Sequence, residues 1–88
     1  MDKMETPTKN LHVNFLARDS EEINKLVEIC KLLGNVEKFP EHLSFSHERP
    51  RTYSFTLTVK IDIVKTTTDW LLDTGVVESV NEMTEQPT

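Results

Sequence analysis

The chain has 88 residues, of which 36% are hydrophobic and 28% are charged, and its formal net charge is −5. This length favours one small domain with a limited core, and no apolar run approaches the ~20 residues that cross a bilayer. Phosphates repel a negative chain, so nucleic-acid binding is disfavoured. A single cysteine excludes an intramolecular disulfide and favours a cytoplasmic protein, and the polar first residues are not typical of a signal peptide.

The first predicted elements are a tail, a strand and a helix. Residues 1–10 are polar and aperiodic, which predicts a flexible N-terminal tail. Leu11–Ala17 alternates, which indicates a strand with its odd-numbered positions facing the core. Asp19 is placed to cap a helix over Ser20–Leu33, which carries an apolar stripe. Gly34 is expected to end that helix in the left-handed conformation.

A second strand is predicted at Leu43–His47, where apolar and polar residues alternate again. Residues 48–51 then form a turn, because Pro50 disfavours helical backbone at the residue before it. The two strands that flank this turn should pair antiparallel with each other. The expected pairs are His47 with Tyr53, Phe45 with Phe55 and Leu43 with Leu57.

The strongest pattern in the chain is the strict alternation of apolar and polar residues over Thr52–Val64. The apolar members are β-branched or aromatic, which is typical of a half-buried strand. At ~3.3 Å per residue this strand would extend about 43 Å. We therefore expect a central strand with different partners along its length.

The last predicted elements are a short helix and a weak strand. A threonine among residues 66–68 is expected to cap the helix, with Asp69 in its first turn and Gly75 at its end. Val76–Val80 follows as a short strand. Residues 82–88 are polar and predict a flexible C-terminal tail.

The order strand, helix, strand, strand, helix, strand predicts an α+β, ferredoxin-like βαββαβ two-layer sandwich over residues 11–81. Its mainly antiparallel four-stranded sheet would carry both helices on one face, with the third strand beside the first. The alternative is a three-stranded sheet under one helix, because the second helix is short. The predicted core contains Leu11, Val13, Phe15, Ile23, Leu26, Val27, Cys30, Leu33, Leu43, Phe45, Phe55, Leu57, Val59, Ile61, Ile63, Trp70 and Leu71.

The sheet face opposite the helices is the candidate interaction face. Its predicted residues are polar and mostly small: His12, Asn14, His42, Ser44, Thr56, Thr58, Lys60 and Asp62, with Ser46 and Ser54 beside them. RNA-binding sheets stack bases on aromatic residues at such positions, and this face has none. The simplest interpretation is a solvated face, although serines and threonines can also meet their own copy in a dimer.

No catalytic, metal or cofactor site is predicted. Zinc needs three or four converging ligands, whereas His12 and His42 would lie two strands apart and the third histidine would face the other way. Cys30 lies on the apolar helical stripe, where a thiol is normally an inert hydrophobe. Gly34 and Gly75 are the only glycines, which excludes a glycine-rich phosphate loop.

Two segments resemble known families. The predicted strand followed by Asp19, Ser20 and a helix resembles the opening of ACT-type regulatory domains, which share this element order and dimerise through their sheets. That resemblance implies a ligand site near the first turn, although the usual glycine is absent there. Residues 66–69, Thr-Thr-Thr-Asp, are similar to the Thr-Thr-His-Asp segment of pterin dehydratases. The catalytic His-His-Pro run of those enzymes is missing, so their activity is not expected here.

These observations favour a non-enzymatic, small, acidic protein–protein interaction module that regulates or inhibits a larger macromolecule. The alternative is an ACT-like regulatory domain that binds a small ligand between subunits. The expected partner is another protein, and binding to a membrane or to a nucleic acid is not expected. A homodimer is also expected, through a sheet edge or the Ser/Thr face, because the core is small and a twofold interface uses one patch twice.

Overall fold

The fold is an α+β arrangement of two helices and one four-stranded antiparallel sheet, as predicted. The computed structural model describes residues 7–83, and the outer parts of the predicted tails lie outside this range. The elements are β1 (Thr8–Ala17), α1 (Ser20–Leu33), β2 (Asn35–Glu37), β3 (Arg51–Lys60), a 3₁₀ turn (Ile61–Ile63), α2 (Val64–Asp73) and β4 (Val77–Glu82). Between residues 7 and 83, neither helix has the length and apolarity needed to cross a bilayer.

The sheet has the strand order β2-β3-β1-β4, so the third strand lies beside the first, as expected. β1 and β3 pair along their whole length, from Thr8 opposite Lys60 to Ala17 opposite Arg51. β1 begins three positions before the predicted Leu11. Its odd-numbered residues from Leu11 onward are fully buried, which confirms the predicted core face.

The edge strand β4 is shifted by one residue from the predicted Val76–Val80 and continues to Glu82. It pairs with β1, but the register changes between Asn14, opposite Ser79, and Phe15, opposite Val77. One residue of β4 is therefore extra at this point, which defines a β-bulge.

The predicted strand Thr52–Val64 is wrong beyond Lys60, where β3 ends. Its partner β1 begins at Thr8, and the Ile61 N–H donates to the Pro7 carbonyl at 2.9 Å, directly after the last strand pair. Within residues 7–83 no strand pairs with the chain beyond this point, and it continues into the 3₁₀ turn and then α2. Ile61 and Ile63 therefore continue the alternating pattern of the sequence, but they are not part of a strand.

The predicted second strand at Leu43–His47 is also wrong. β2 is the three-residue segment before it, in which Val36 pairs with Leu57. The predicted cross-strand pairs are therefore not formed: His47 with Tyr53, Phe45 with Phe55 and Leu43 with Leu57. Residues 38–50 have no helix or strand.

Aromatic packing explains the path of the 38–50 loop. Lys38 has a φ of 58°, in the left-handed region, and the chain changes direction there as it leaves β2. The Phe39 ring then packs on Phe15 and Phe55, with centroid distances of 5.6 and 5.4 Å. Because both of these residues are in the buried core, the loop lies over the core face of the sheet instead of extending β2.

Two hydrogen bonds hold the middle of this loop. The Ser44 N–H donates to the Tyr53 hydroxyl at 3.0 Å, and the Ser46 N–H donates to the Ala17 carbonyl at 3.2 Å. The loop therefore reaches the end of β1. Phe45, between the two anchors, is 41% exposed and therefore does not lie in the core, contrary to the prediction.

Helix α1 has the predicted bounds, and Asp19 caps it by accepting a hydrogen bond from the Glu21 N–H at 3.1 Å. The predicted left-handed conformation of Gly34 is wrong, because its φ of −174° is extended. A Cβ at this position would overlap the Thr58 carbonyl. Glycine is therefore required by the close approach of two backbone segments.

Helix α2 begins at Val64, before the predicted threonine cap, and no side chain caps it. Asp69 consequently lies in the middle of the helix instead of its first turn. Ile63 and Val64 are partly buried against the core, so apolar packing fixes where the helix begins. Gly75 follows the helix with a φ of 80°, a conformation that favours glycine.

The core lies between the helices and the odd-numbered face of the sheet. The predicted core is wrong at Phe45, Ile61 and Trp70, which are 41%, 50% and 57% exposed. Four predicted members are only partly buried: Val27, Leu33, Leu43 and Ile63. Most of the others are fully buried, and the core also includes Ala17, Thr67, Val76 and Val77.

Candidate functional site

Four predicted interaction residues lie together on the polar face of the sheet: His12, Asn14, Thr56 and Thr58. His12 lies directly opposite Thr56, and Asn14 lies opposite Ser54. Thr56 is only 8% exposed, because its side chain lies on the inner strand β3 between two paired strands. The structure thus forms a continuous patch at the centre of the predicted face.

Side chains on this face bond to one another. Two hydrogen bonds join neighbouring strands: Thr58 Oγ1 donates to Asn10 Oδ1 at 2.7 Å and Asn14 Nδ2 donates to Ser79 Oγ at 2.9 Å. A third, from Thr52 Oγ1 to Glu78 Oε1 at 3.3 Å, joins β3 to β4 across the intervening β1. Donors that are satisfied within the chain need no partner to satisfy them. The face is therefore well suited to direct contact with solvent.

Most of the other predicted face residues lie elsewhere. His42, Ser44 and Ser46 belong to the 38–50 loop and are not on the sheet. Asp62 is exposed in the 3₁₀ turn. Lys60 does belong to the sheet, since it is the last residue of β3, opposite Thr8, and it lies exposed at the margin of the polar face. The predicted face is therefore too large, since it included a strand that does not form.

The titratable side chains of residues 7–83 form no cluster of metal ligands. No three His, Cys, Asp or Glu side chains in that range are close enough to hold a metal ion. Cys30 is fully buried, and burial raises the pKa of its thiol from 9.0 to about 12. The thiol is therefore neutral at physiological pH and, because only the thiolate is strongly nucleophilic, a poor nucleophile.

A groove lies between the two helices. It has a volume of about 260 Å³ and lies between Ile29 of α1 and Trp70, Asp73 and Thr74 at the end of α2. A neighbouring cavity of about 270 Å³ shares Ile29 and Thr74 with it. Trp70 is the only tryptophan of the chain, and it is 57% exposed.

The exposure of Trp70 follows from helix geometry. Consecutive residues point about 100° apart around a helix, so Trp70, Leu71 and Leu72 cannot all face the core. Leu71 is fully buried, whereas the side chains on either side of it are 57% and 44% exposed. Three consecutive apolar residues in a short helix were therefore a sequence signal for this groove, and the sequence reasoning missed it.

Helix geometry also explains the apolar residues that α1 contributes to the groove. Ile29 lies outside the predicted apolar stripe and is only partly buried, and Leu32, one turn later, is 87% exposed. These two residues form a second, narrower apolar strip on α1. That strip was also visible in the sequence but was not identified as a site.

The charges around Trp70 are mainly acidic. Asp69 and Asp73 are exposed and lie one turn apart on the same helix. Glu22, at the far end of the neighbouring cavity, is paired with Arg18 at 3.5 Å. Asp73 is the only charged residue of the described range that lines the groove at Trp70, whereas Lys25 lines only the neighbouring cavity.

No protein-family model matches this chain, and no curated protein or solved structure is significantly similar to it. Two surfaces remain from which a function can be inferred. The polar sheet face satisfies several of its own donors, whereas the groove exposes a large aromatic side chain to solvent.

Proposed function

We propose that this protein is a non-enzymatic binding module that recognises a basic segment of another protein through the groove at Trp70. The observation that supports this proposal is the 57% exposure of the only tryptophan, next to Ile29. A chain of this size has little core to spare, and burying an aromatic side chain is strongly stabilising. An exposed tryptophan in a groove is typical of an interface, where Trp is enriched among the residues that dominate binding energy.

The proposed ligand is an amphipathic segment with an apolar anchor and basic side chains. Ile29 and Trp70 offer the apolar contact, and Leu32 extends it along α1. Asp69 and Asp73 add negative charge beside it, and the whole chain has a net charge of −5. Complementary charge speeds association and excludes acidic competitors, and Lys or Arg can also stack on the indole ring.

The fold proposed for this module is ferredoxin-like. The order β2-β3-β1-β4 and the succession of strand, helix, strand, strand, helix and strand support it. The unusual features would be the three-residue β2 and the irregular 38–50 loop. We also propose a cytoplasmic location, which is compatible with a single buried thiol.

The test uses Trp70 emission to monitor two helical peptides of equal length, one built from Leu and Lys and one from Leu and Glu. We expect the Leu-Lys peptide to shift Trp70 emission to shorter wavelength, because the indole becomes covered, and the Leu-Glu peptide to have no effect. An Asp69→Asn, Asp73→Asn double variant should bind the Leu-Lys peptide more weakly, most clearly at low salt. Glu48→Gln, Glu41→Gln removes two charges from the exposed 38–50 loop and serves as the matched control.

Equal binding of both peptides, or no binding of either, would contradict the proposed ligand chemistry. Amide chemical-shift mapping gives an independent check of the site. Perturbations centred on Ile29 and Thr74 are expected, whereas perturbations centred on His12 and Thr56 would transfer the site to the polar sheet face.

The alternative function is an ACT-like domain that binds a small ligand. It is supported by the cavity of about 270 Å³ beside the first turn of α1, where Glu22 and Lys25 offer both signs of charge. A thermal-shift screen of amino acids and nucleotides separates the two functions. A ligand at 100 times its dissociation constant stabilises by about 2.7 kcal/mol, so a hit that Lys25→Ala abolishes would favour the alternative.

A further inference from the structure

One edge of the inner strand β3 is only partly paired. β3 has ten residues, but β2 has three and pairs only with Thr56–Thr58. On this side, the segment Arg51–Phe55 has no strand partner in residues 7–83. Its outward backbone N–H and C=O groups form the kind of open edge that another strand can join.

The 38–50 loop does not fill this edge. The chain turns away at Lys38, and Phe39 packs on the core face of the sheet, against Phe15 and Phe55. Arg51 and Thr52 are exposed, and the next two residues are half-buried. The loop hydrogen-bonds to Tyr53 only through the side-chain hydroxyl, which accepts from the Ser44 N–H, and within residues 7–83 it makes no backbone hydrogen bond to Arg51–Phe55. The outward backbone groups of this segment are therefore available to a strand from another chain.

The opposite edge of the sheet is different. β4 contains a β-bulge and has glutamates at positions 78 and 82. Bulges and charged side chains are the usual features that prevent edge strands from pairing. Within Arg51–Phe55 only the first residue is charged, so this edge is much less protected than β4.

We propose that Arg51–Phe55 pairs antiparallel with the same segment of a second copy, about a twofold axis through Tyr53. This register places Tyr53 opposite Tyr53, Thr52 opposite Ser54 and Arg51 opposite Phe55. It opposes no like charges, and aromatic pairs and hydroxyl pairs are among the favourable cross-strand combinations. A twofold interface requires a self-complementary patch, and this segment meets that requirement.

The aromatic cluster supports the same register. Tyr53 lies 6.0 Å from Phe15, which also contacts Phe39 and Phe55. Pairing at Tyr53 would bring the aromatic clusters of the two copies together at the dimer interface. The result is a continuous sheet of two copies with an apolar core face on both sides of the axis.

The first test measures mass by light scattering from micromolar to millimolar concentration. We expect the mass to rise from 10.2 kDa towards twice that value. In a Thr52→Lys, Ser54→Lys variant, lysines of the two copies face each other, and we expect the dissociation constant to increase about tenfold or more. A Thr66→Lys, Asn81→Lys variant adds the same charge at exposed positions away from the edge and should dimerise like the wild type.

The second test does not depend on the folding of a charged variant. Directly opposed residues in an antiparallel pair have Cβ atoms about 4.5–5.5 Å apart, close enough for a disulfide with small backbone adjustments. Tyr53→Cys should therefore form a crosslinked dimer on mild oxidation, whereas Thr66→Cys should not. A wild-type mass of 10.2 kDa at every concentration, or equal crosslinking of the two cysteine variants, would overturn the proposal.

Discussion

At Gly34, where α1 gives way to β2, the backbone lies directly against the carbonyl of Thr58. Gly34→Ala should destabilise the fold by about 3 kcal/mol, because backbone atoms cannot rotate away from the added methyl group. Gly75→Ala is the matched control, since its Cβ would meet open space and only the φ of 80° would be strained. We expect Gly75→Ala to destabilise the fold by about 1 kcal/mol. Urea unfolding measures both, and an equal or smaller loss at Gly34 would contradict the close approach.

The buried thiol of Cys30 makes stability depend on pH. Burial raises the pKa of this thiol from 9.0 to about 12, so in that range the folded state holds a proton that the unfolded state releases. The stabilisation is therefore complete below pH 9.0 and is lost as the pH rises towards about 12.

The measurement compares the free energy of unfolding of wild type and Cys30→Ala from about pH 8 to pH 11. Other groups titrate in this range in both proteins, so the difference between them isolates the thiol. The difference should shift in favour of the alanine variant as the pH rises. Parallel pH profiles would argue against a buried, protonated thiol.

At the scale of elements, α2 provides a direct test of which side chain is in the core. Leu71→Ala should cost about 2–5 kcal/mol, because it leaves a cavity at a fully buried site. Trp70→Ala should cost less than about 1 kcal/mol, since that side chain is 57% exposed. Urea unfolding followed by circular dichroism measures both variants. A larger loss of stability for Trp70→Ala than for Leu71→Ala would indicate that Trp70 is buried in the core, as predicted from the sequence.

Helix α1 could be predicted to the residue because its local signals agree. Asp19 supplies a cap, the apolar stripe gives one buried face, and Gly34 follows the last turn. The central strand was also predictable, because its alternation extends over many residues. Its end was not, since that depends on where its partner β1 begins, far away in the sequence.

The 38–50 loop could not be predicted from local pattern. Leu43–His47 alternates as a strand would, but Phe39 packs on Phe15 and Phe55, which are distant in sequence. β2 is too short to give a periodic signal. The residues predicted for the polar face therefore lie on the sheet only where they belong to β1 and β3.

In the molecule as a whole, the two proposed interfaces use different elements. The groove lies between α1 and the end of α2, whereas the open edge belongs to β3. Dimerisation through the edge would therefore leave the Trp70 groove available. A dimer would present two grooves, and a ligand with two basic segments could bind both with higher apparent affinity than either alone.

The pairing of β1 with β3 and β4 also determines how the chain must fold. Asn10 and Thr58, which bond across the sheet, are 48 positions apart, and Asn14 and Ser79 are 65 apart. Loop entropy must be lost before such contacts form, so non-local topologies fold slowly. We expect refolding in milliseconds to seconds, measured by stopped-flow circular dichroism, instead of the microseconds reached by some helical bundles. Until these strands meet, the alternating apolar residues of β3 remain exposed on a nascent chain, so we expect this segment to be prone to aggregation during synthesis.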